Sequence, residues 1–265
     1  MAITVTHRGD FTSTATGDTT FSPASNLAAG SLAVLVIAAD NSGANGTSNN
    51  ITAVTDTNGN TWTKRNAPIY DNGAANEGAQ GAIFETAMTG GTLTTGSTIT
   101  VDYNGTGPPS DVGTLYEVVP TSGSFTITYV THADGVGATT ASPTITTGSI
   151  TSGNLLIAAG AAEQGTTSTF TADSDTSNGN WSAQTLVEIG SGTAGMTLVS
   201  QYKVVTATAT QTYNPVSDTT PDVVLFWIEY TEVASATDVL IQGLQNLHQQ
   251  FGTQTAARLG GLLST

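Results

Sequence analysis

Leu32-Ala33-Val34-Leu35-Val36-Ile37 and Val223-Val224-Leu225-Phe226-Trp227-Ile228 are the stretches that decide how this chain folds. Each is a short, unbroken apolar run of the length of a buried strand. They stand in a chain of unusual composition. Only 9% of its 265 residues are charged, against about 25% in ordinary domains. Low charge with abundant Thr, Ser, Gly and Asn suggests a low-complexity stalk. The 38% of hydrophobic residues argues otherwise, because they gather in runs such as these two, and disordered chains lack such runs. Threonine is β-branched and suits the exposed faces of strands. The expectation is a folded, all-β, threonine-coated chain to about Val233.

Composition also excludes several functions. The chain has 20 acidic and 5 basic residues, a net charge of -15. Five basic groups neutralise few phosphates, so no nucleic-acid partner is expected. No run of about 20 apolar residues is present, so no membrane-spanning helix is expected. Met1-Ala2-Ile3-Thr4-Val5 lacks the basic and apolar regions of a secretion signal, and Sec export is not expected. Without cysteine there is neither a disulfide framework nor a thiolate metal site.

Working outward from the two runs, the chain repeats itself. Val5-Thr6-His7 recurs as Val130-Thr131-His132, and Ser22-Pro23 as Ser142-Pro143. Ala29-Gly30-Ser31-Leu32 recurs as Ser152-Gly153-Asn154-Leu155, opening an apolar run each time. Asp56-Thr57-Asn58-Gly59-Asn60-Thr61-Trp62 returns as Asp175-Thr176-Ser177-Asn178-Gly179-Asn180-Trp181. Tyr103-Asn104 matches Tyr213-Asn214, and Leu115-Tyr116-Glu117-Val118 matches Trp227-Ile228-Glu229-Tyr230. The order is preserved, and the period is too long for a solenoid or a propeller blade. Tandem duplication of a whole domain fits.

Each copy reads as about eight short strands separated by Gly, Asn, Asp and Pro clusters. The fold class is therefore all-β: two tandem duplicated β-sandwich domains, jelly-roll or Ig-like, followed by a short C-terminal α-helical segment. The first sandwich occupies 1–120 and the second 121–233, with the boundary at Pro120-Thr121-Ser122-Gly123. Residues 234–265 differ. Thr237 or Asp238 is placed to cap a helix. Leu240, Leu244, Leu247 and Phe251 then form one apolar stripe, opposite Gln242, Gln245, Gln249 and Gln250. Such a helix either packs on its own sandwich or serves oligomerisation or docking. The second reading is preferred, because the first copy has no counterpart of this segment.

The search for chemistry returns mostly structural readings. Asp56, Asn58 and Asn60 alternate like Ca²⁺ ligands, but the glycine, Gly59, falls at position four where an EF-hand needs it at six, and Ala67 stands at position twelve in place of an acid. A type I′ hairpin at Asn58-Gly59, with Trp62 and Trp181 buried just beyond the turns, is expected instead. Gly190-Ser191-Gly192-Thr193-Ala194-Gly195 spells a dinucleotide fingerprint, yet a strand rather than a helix follows it, so it reads as a loop. Glu117 and Glu229 lie in separate copies and read as strand-end carboxylates rather than a catalytic pair. His7 and His132 are repeat equivalents with a shared structural role. Tyr70, Tyr103, Tyr202 and Tyr213 are the candidates for stacking on sugars. No catalytic, cofactor-binding or metal-ligating residue is assigned, no cofactor is expected, and the interaction residues are Leu240, Leu244, Leu247 and Phe251.

In these features the chain resembles accessory proteins of tailed-phage virions: head decoration proteins, head fibres and tail adhesins. The resemblance lies in the Met start, the tandem Thr/Gly-rich sandwiches, the lack of cysteine and the terminal helix. It implies a non-enzymatic structural protein on the virion surface. Its partners would be further copies of itself, often as a trimer, and a capsid or tail protein. The alternative is an adhesin module recognising host surface glycans. Membrane and nucleic acid are not expected partners.

Overall fold

The computed structural model describes residues 3–41, 49–71, 78–105, 107–164, 168–190 and 195–235. The first half of the chain forms β1 (Thr4–Ser13), β2 (Thr19–Phe21), β3 (Leu32–Asp40), β4 (Ile51–Asp56), β5 (Thr63–Asn66), β6 (Ile69–Tyr70), β7 (Ala79–Thr86), β8 (Ile99–Tyr103) and β9 (Asp111–Val119). The second forms β10 (Phe125–Asp134), β11 (Ala138–Thr139), β12 (Ile145–Ile150), β13 (Leu155–Gln164), β14 (Phe170–Thr171), β15 (Thr185–Ile189), β16 (Gly195–Val204), β17 (Ala209–Tyr213), β18 (Val216–Ser217) and β19 (Asp222–Ala234). Among the described residues there is no helix. The helix expected for the C-terminal segment, with Leu240, Leu244, Leu247 and Phe251, lies outside the described residues.

Each half contributes one large antiparallel sheet. In the first the strand order is β1-β9-β3-β7-β5, with β6 also paired to β7. In the second it is β10-β19-β13-β16-β15, with β11 on β19. Counting only the five strands of each path in chain order, the two orders are the same, while the sixth strand attaches differently, β6 on β7 and β11 on β19. Against the first large sheet lies a three-stranded sheet, β2-β8-β4. Against the second lie two separate pairs, β12-β17 and β14-β18.

The two large sheets pack on each other. Ala33, Leu35, Ile37 and Ala39 of β3 face Ile99, Val101 and Tyr103 of the small sheet. Leu32, Val34, Val36 and Ala38 face the other way, since side chains alternate along a strand. There they meet Leu155, Ile157, Ala159 and Ala161 of β13 and Val224, Phe226 and Ile228 of β19. That is why every residue of β3 is buried, whereas β8 alternates between buried and half-buried positions. Continuous apolar runs belong to strands covered on both faces. Among the described residues the seam between the large sheets is the most extensive apolar cluster. The result is four β layers, with the two large sheets innermost.

Across the seam β1 lies over β15, β5 over β10, and β3 over β13. Equivalent strands thus meet only at the centre, and the two halves are related by an approximate two-fold axis between β3 and β13. Gly81 keeps the seam close. A Cβ there would sit 2.5 Å from Cε1 of Phe226, so glycine lets that ring reach the opposite sheet.

Two local expectations change. Residues 3–7 and 11–20 read as separate strands, but β1 runs on through Gly9 with a register shift between His7 and Gly9. The bulge turns Arg8 out of the ladder. The expected hairpin at Asn58-Gly59 is absent, because β4 pairs with β8 and β5 with β7. The segment instead crosses from the small sheet to the large one. A turn still forms, but not type I′: Gly59 N–H donates to Asp56 O at 3.2 Å, and of Asn58 and Gly59 only Gly59 has a positive φ, 72°.

Candidate functional site

The residues that could carry chemistry are nearly all bonded into the framework. Glu117, fully buried on β9, accepts Arg8 Nε–H at 2.8 Å and Ser31 Oγ–H at 2.8 Å. It also accepts the second guanidinium nitrogen of Arg8 and the Ala28 N–H. Its repeat equivalent Glu229 accepts Asn154 Nδ2–H at 2.6 Å and Thr151 N–H at 3.4 Å. Both carboxylates therefore tie down the turn that launches the central strand of their own half. They point into different sandwiches and form no pair. Neither sits at a strand end as expected; each accepts one backbone N–H and side-chain donors, and the Arg8 ion pair is found in the first half only.

The Asp56–Trp62 element is a closed knot of hydrogen bonds. Asp56 Oδ1 accepts Asn58 N–H at 2.8 Å, and Asp56 Oδ2 accepts the Trp62 indole N–H at 2.7 Å. Asn60 Nδ2–H reaches Gly91 O at 2.9 Å, and Asn60 Oδ1 accepts Gly90 N–H at 2.8 Å. Carboxylate oxygens engaged by N–H donors are poorly placed to ligate a cation. In the second half Trp181 is buried, but its indole N–H has no partner. Asp175 accepts from Ser177, and those hydrogen bonds hold its carboxyl below the usual range. Among the described residues no three His, Asp or Glu converge as metal ligands.

His7 pairs with Asp10 at 2.7 Å, and His132 Nδ1 with Tyr129 Oη at 2.7 Å. The four tyrosines offered for sugar stacking are not an exposed platform. Tyr103 is buried and donates to Asp111 at 2.8 Å; Tyr213 is buried against Trp181. Tyr70 shares a hydrogen bond with Thr139 at 3.0 Å, and Tyr202 donates to Val5 O at 3.3 Å. The last two bridge the halves. Strand position alone gave no sign that these rings would be enclosed.

Further polar ties cross the seam. Tyr116 Oη and Ser200 Oγ lie 2.7 Å apart between buried faces. Asn66 Nδ2–H donates to Asp134 Oδ1 at 2.9 Å.

One corner of the seam is open. A cleft of about 390 Å³ is lined by Arg65, Glu85, Tyr129, Ile127 and threonines 61, 63, 86, 89 and 128. Arg65 pairs with Glu85 at 2.6 Å and lies over the Tyr129 ring at 4.0 Å. The two-fold equivalent of Glu85 is Tyr202, since Val34 registers with Glu85 as Ile157 does with Tyr202. Tyr202 packs edge-on against Tyr116 and fills its corner. Sequence reading did not single out Arg65, Glu85 or Tyr129. They are far apart in the chain, and only the face-to-face packing brings them together.

The Gly190–Gly195 stretch links β15 to β16, two antiparallel neighbours, which is not the strand-to-helix setting of a dinucleotide site. No family model, curated protein or solved structure matches this chain.

Proposed function

We propose that this chain is a non-enzymatic structural protein of a particle surface, decorating or projecting from a phage capsid or tail through protein–protein contacts. The observation that carries the proposal is the seam. Two sandwiches locked back to back make a rigid body, and most of the carboxylates and tyrosines that might do chemistry are packed or hydrogen-bonded within it, while His7 pairs with Asp10 at its surface. The remaining surface is rich in threonine and asparagine and carries few charges. A net charge of -15 keeps subunits apart in solution and disfavours contact with packaged DNA, so the outer face of the virion is the proposed location.

We infer as well that the halves arose by tandem duplication, joined at Pro120–Ser124. The shared strand order and approximate two-fold axis support this, beside the ordered sequence matches. Lettering the eight main strands of the first half A to H, the orders A-H-C-F and B-G-D resemble those of a jelly-roll, with strand E moved beside F. In this proposal residues 237–265 attach the body to itself or to a capsid or tail protein through Leu240, Leu244, Leu247 and Phe251. Deleting 237–265 is expected to leave both sandwiches folded and to abolish assembly on the particle, read by co-sedimentation with purified virions. Normal assembly of the truncated chain would remove this role from the segment.

A second reading, a glycan-binding adhesin, has one observation in its favour: the open Arg65–Glu85–Tyr129 cleft with its rim of threonine hydroxyls. Aromatic and polar groups converge there as sugar sites require.

A further inference from the structure

Asp40 ends β3 at the seam. The residues two, four and six positions before it, Ala38, Val36 and Val34, all face the opposite sheet, so the Asp40 side chain points the same way. It is fully buried, and neither of its carboxylate oxygens has a hydrogen-bond partner. Its repeat equivalent is Glu163, which ends the inward series Leu155, Ile157, Ala159 and Ala161 on β13. Because β3 and β13 flank the two-fold axis, these equivalent acids lie beside each other. Glu163 is also buried, and accepts the Gly78 N–H at 3.2 Å.

The other charged groups at this end are acidic too. Asp222 of β19 registers with Glu163 and accepts Thr139 Oγ–H at 2.5 Å. Asp71 follows β6 next to Gly78. On β9, Asp111 registers with Ala39 but faces the small sheet, where Tyr103 donates to it. The register partners on β7 and β16, Ala79 and Met196, are uncharged. The described cations are engaged elsewhere: Arg8 with Glu117, Lys64 with Asn49, Arg65 with Glu85, and Lys203 with Ser177 O. His7 and His132 are engaged with Asp10 and Tyr129.

Asp40, with both oxygens unpartnered in a desolvated seam, does not ionise beside a second buried carboxylate without cost. We propose that Asp40 is carried as the neutral acid between the halves, and that its ionisation in alkaline solution loosens their joint. Asp40 and Glu163 would thus form a pH-sensitive latch at the two-fold axis. Burial first, and the Glu163 charge second, push the Asp40 pKa up to about 8. An unfolded aspartate ionises near pH 3.9. Between that pH and about 8 the folded chain holds a proton that the unfolded chain has lost. Stability contributed by this group is therefore full below the lower value, falls as pH rises through the window, and is level above it.

The test is urea unfolding of the full chain in EDTA at intervals from about pH 5 to 9.5, beside Asp40→Asn and Glu163→Gln. Asparagine mimics the neutral acid in size. The expected result is a wild-type unfolding midpoint that falls with pH relative to that of Asp40→Asn, the gap widening up to about pH 8 and then holding. Glu163→Gln, which keeps Asp40 but removes its charged neighbour, should bring the end of the fall to lower pH. If Asp40→Asn does not fold, that shift in Glu163→Gln remains the deciding measurement. Parallel pH curves for wild type and Asp40→Asn, or an unmoved window in Glu163→Gln, would overturn the latch.

Discussion

Across the seam, β3 and β13 bury both faces and draw residues from both halves into one apolar cluster. The outer layers bury one face each and differ between the halves: three continuous strands in the first, two separate pairs in the second. The seam is thus the part the halves have in common, and the outer sheets are where they differ. The polar ties follow the same division. Tyr116–Ser200 and Asn66–Asp134 join the halves at the seam, while Asp56–Trp62 and Asp173–Asn214 each bind one outer layer. A protein with a seam of this kind behaves as one body, not as two beads on a linker.

Substitutions should separate these regions by size of effect. Phe226→Ala removes a fully buried ring from the seam and is expected to cost about 3–5 kcal/mol, the range for large aromatic truncations in cores. Chemical denaturation measures it, and the loss should appear as one lowered transition rather than a new early one. A smaller cost, about 1–3 kcal/mol, is expected for Glu117→Ala, which strands the half-exposed Arg8 and the donors of the Ala28–Ser31 turn. Glu229→Ala should cost less again, because its donors, Asn154 and Thr151, are neutral. Equal losses at Glu117 and Glu229 would mean that the Arg8 ion pair adds nothing to the first half.

Much of this architecture could be read from the chain. The runs at Leu32 and Val223 mark the central strands, and the ordered matches align residues that the fold makes equivalent. Glu117 with Ser31 and Glu229 with Asn154 form the same contact twice. The seam itself was legible only in part. An unbroken apolar run says that both faces of a strand are covered, but not by what. The Asn58-Gly59 turn misled for a related reason: local turn chemistry reports a change of direction, not which strands pair afterwards. Arg65, Glu85 and Tyr129 carried no signal, since their cleft exists only where two distant edges meet. Asp40 carried no signal either, because its burial follows from the position of β13.

Native-state hydrogen exchange tests the central claim, that the seam makes one cooperative body, most directly. The slowest amides should lie on β3, β9, β13 and β19 and share a single opening free energy across both halves. The short outer pairs β14 and β18 should open at lower free energy. Two distinct slowest sets, one for each half, would mean that the sandwiches unfold independently, and would contradict the account.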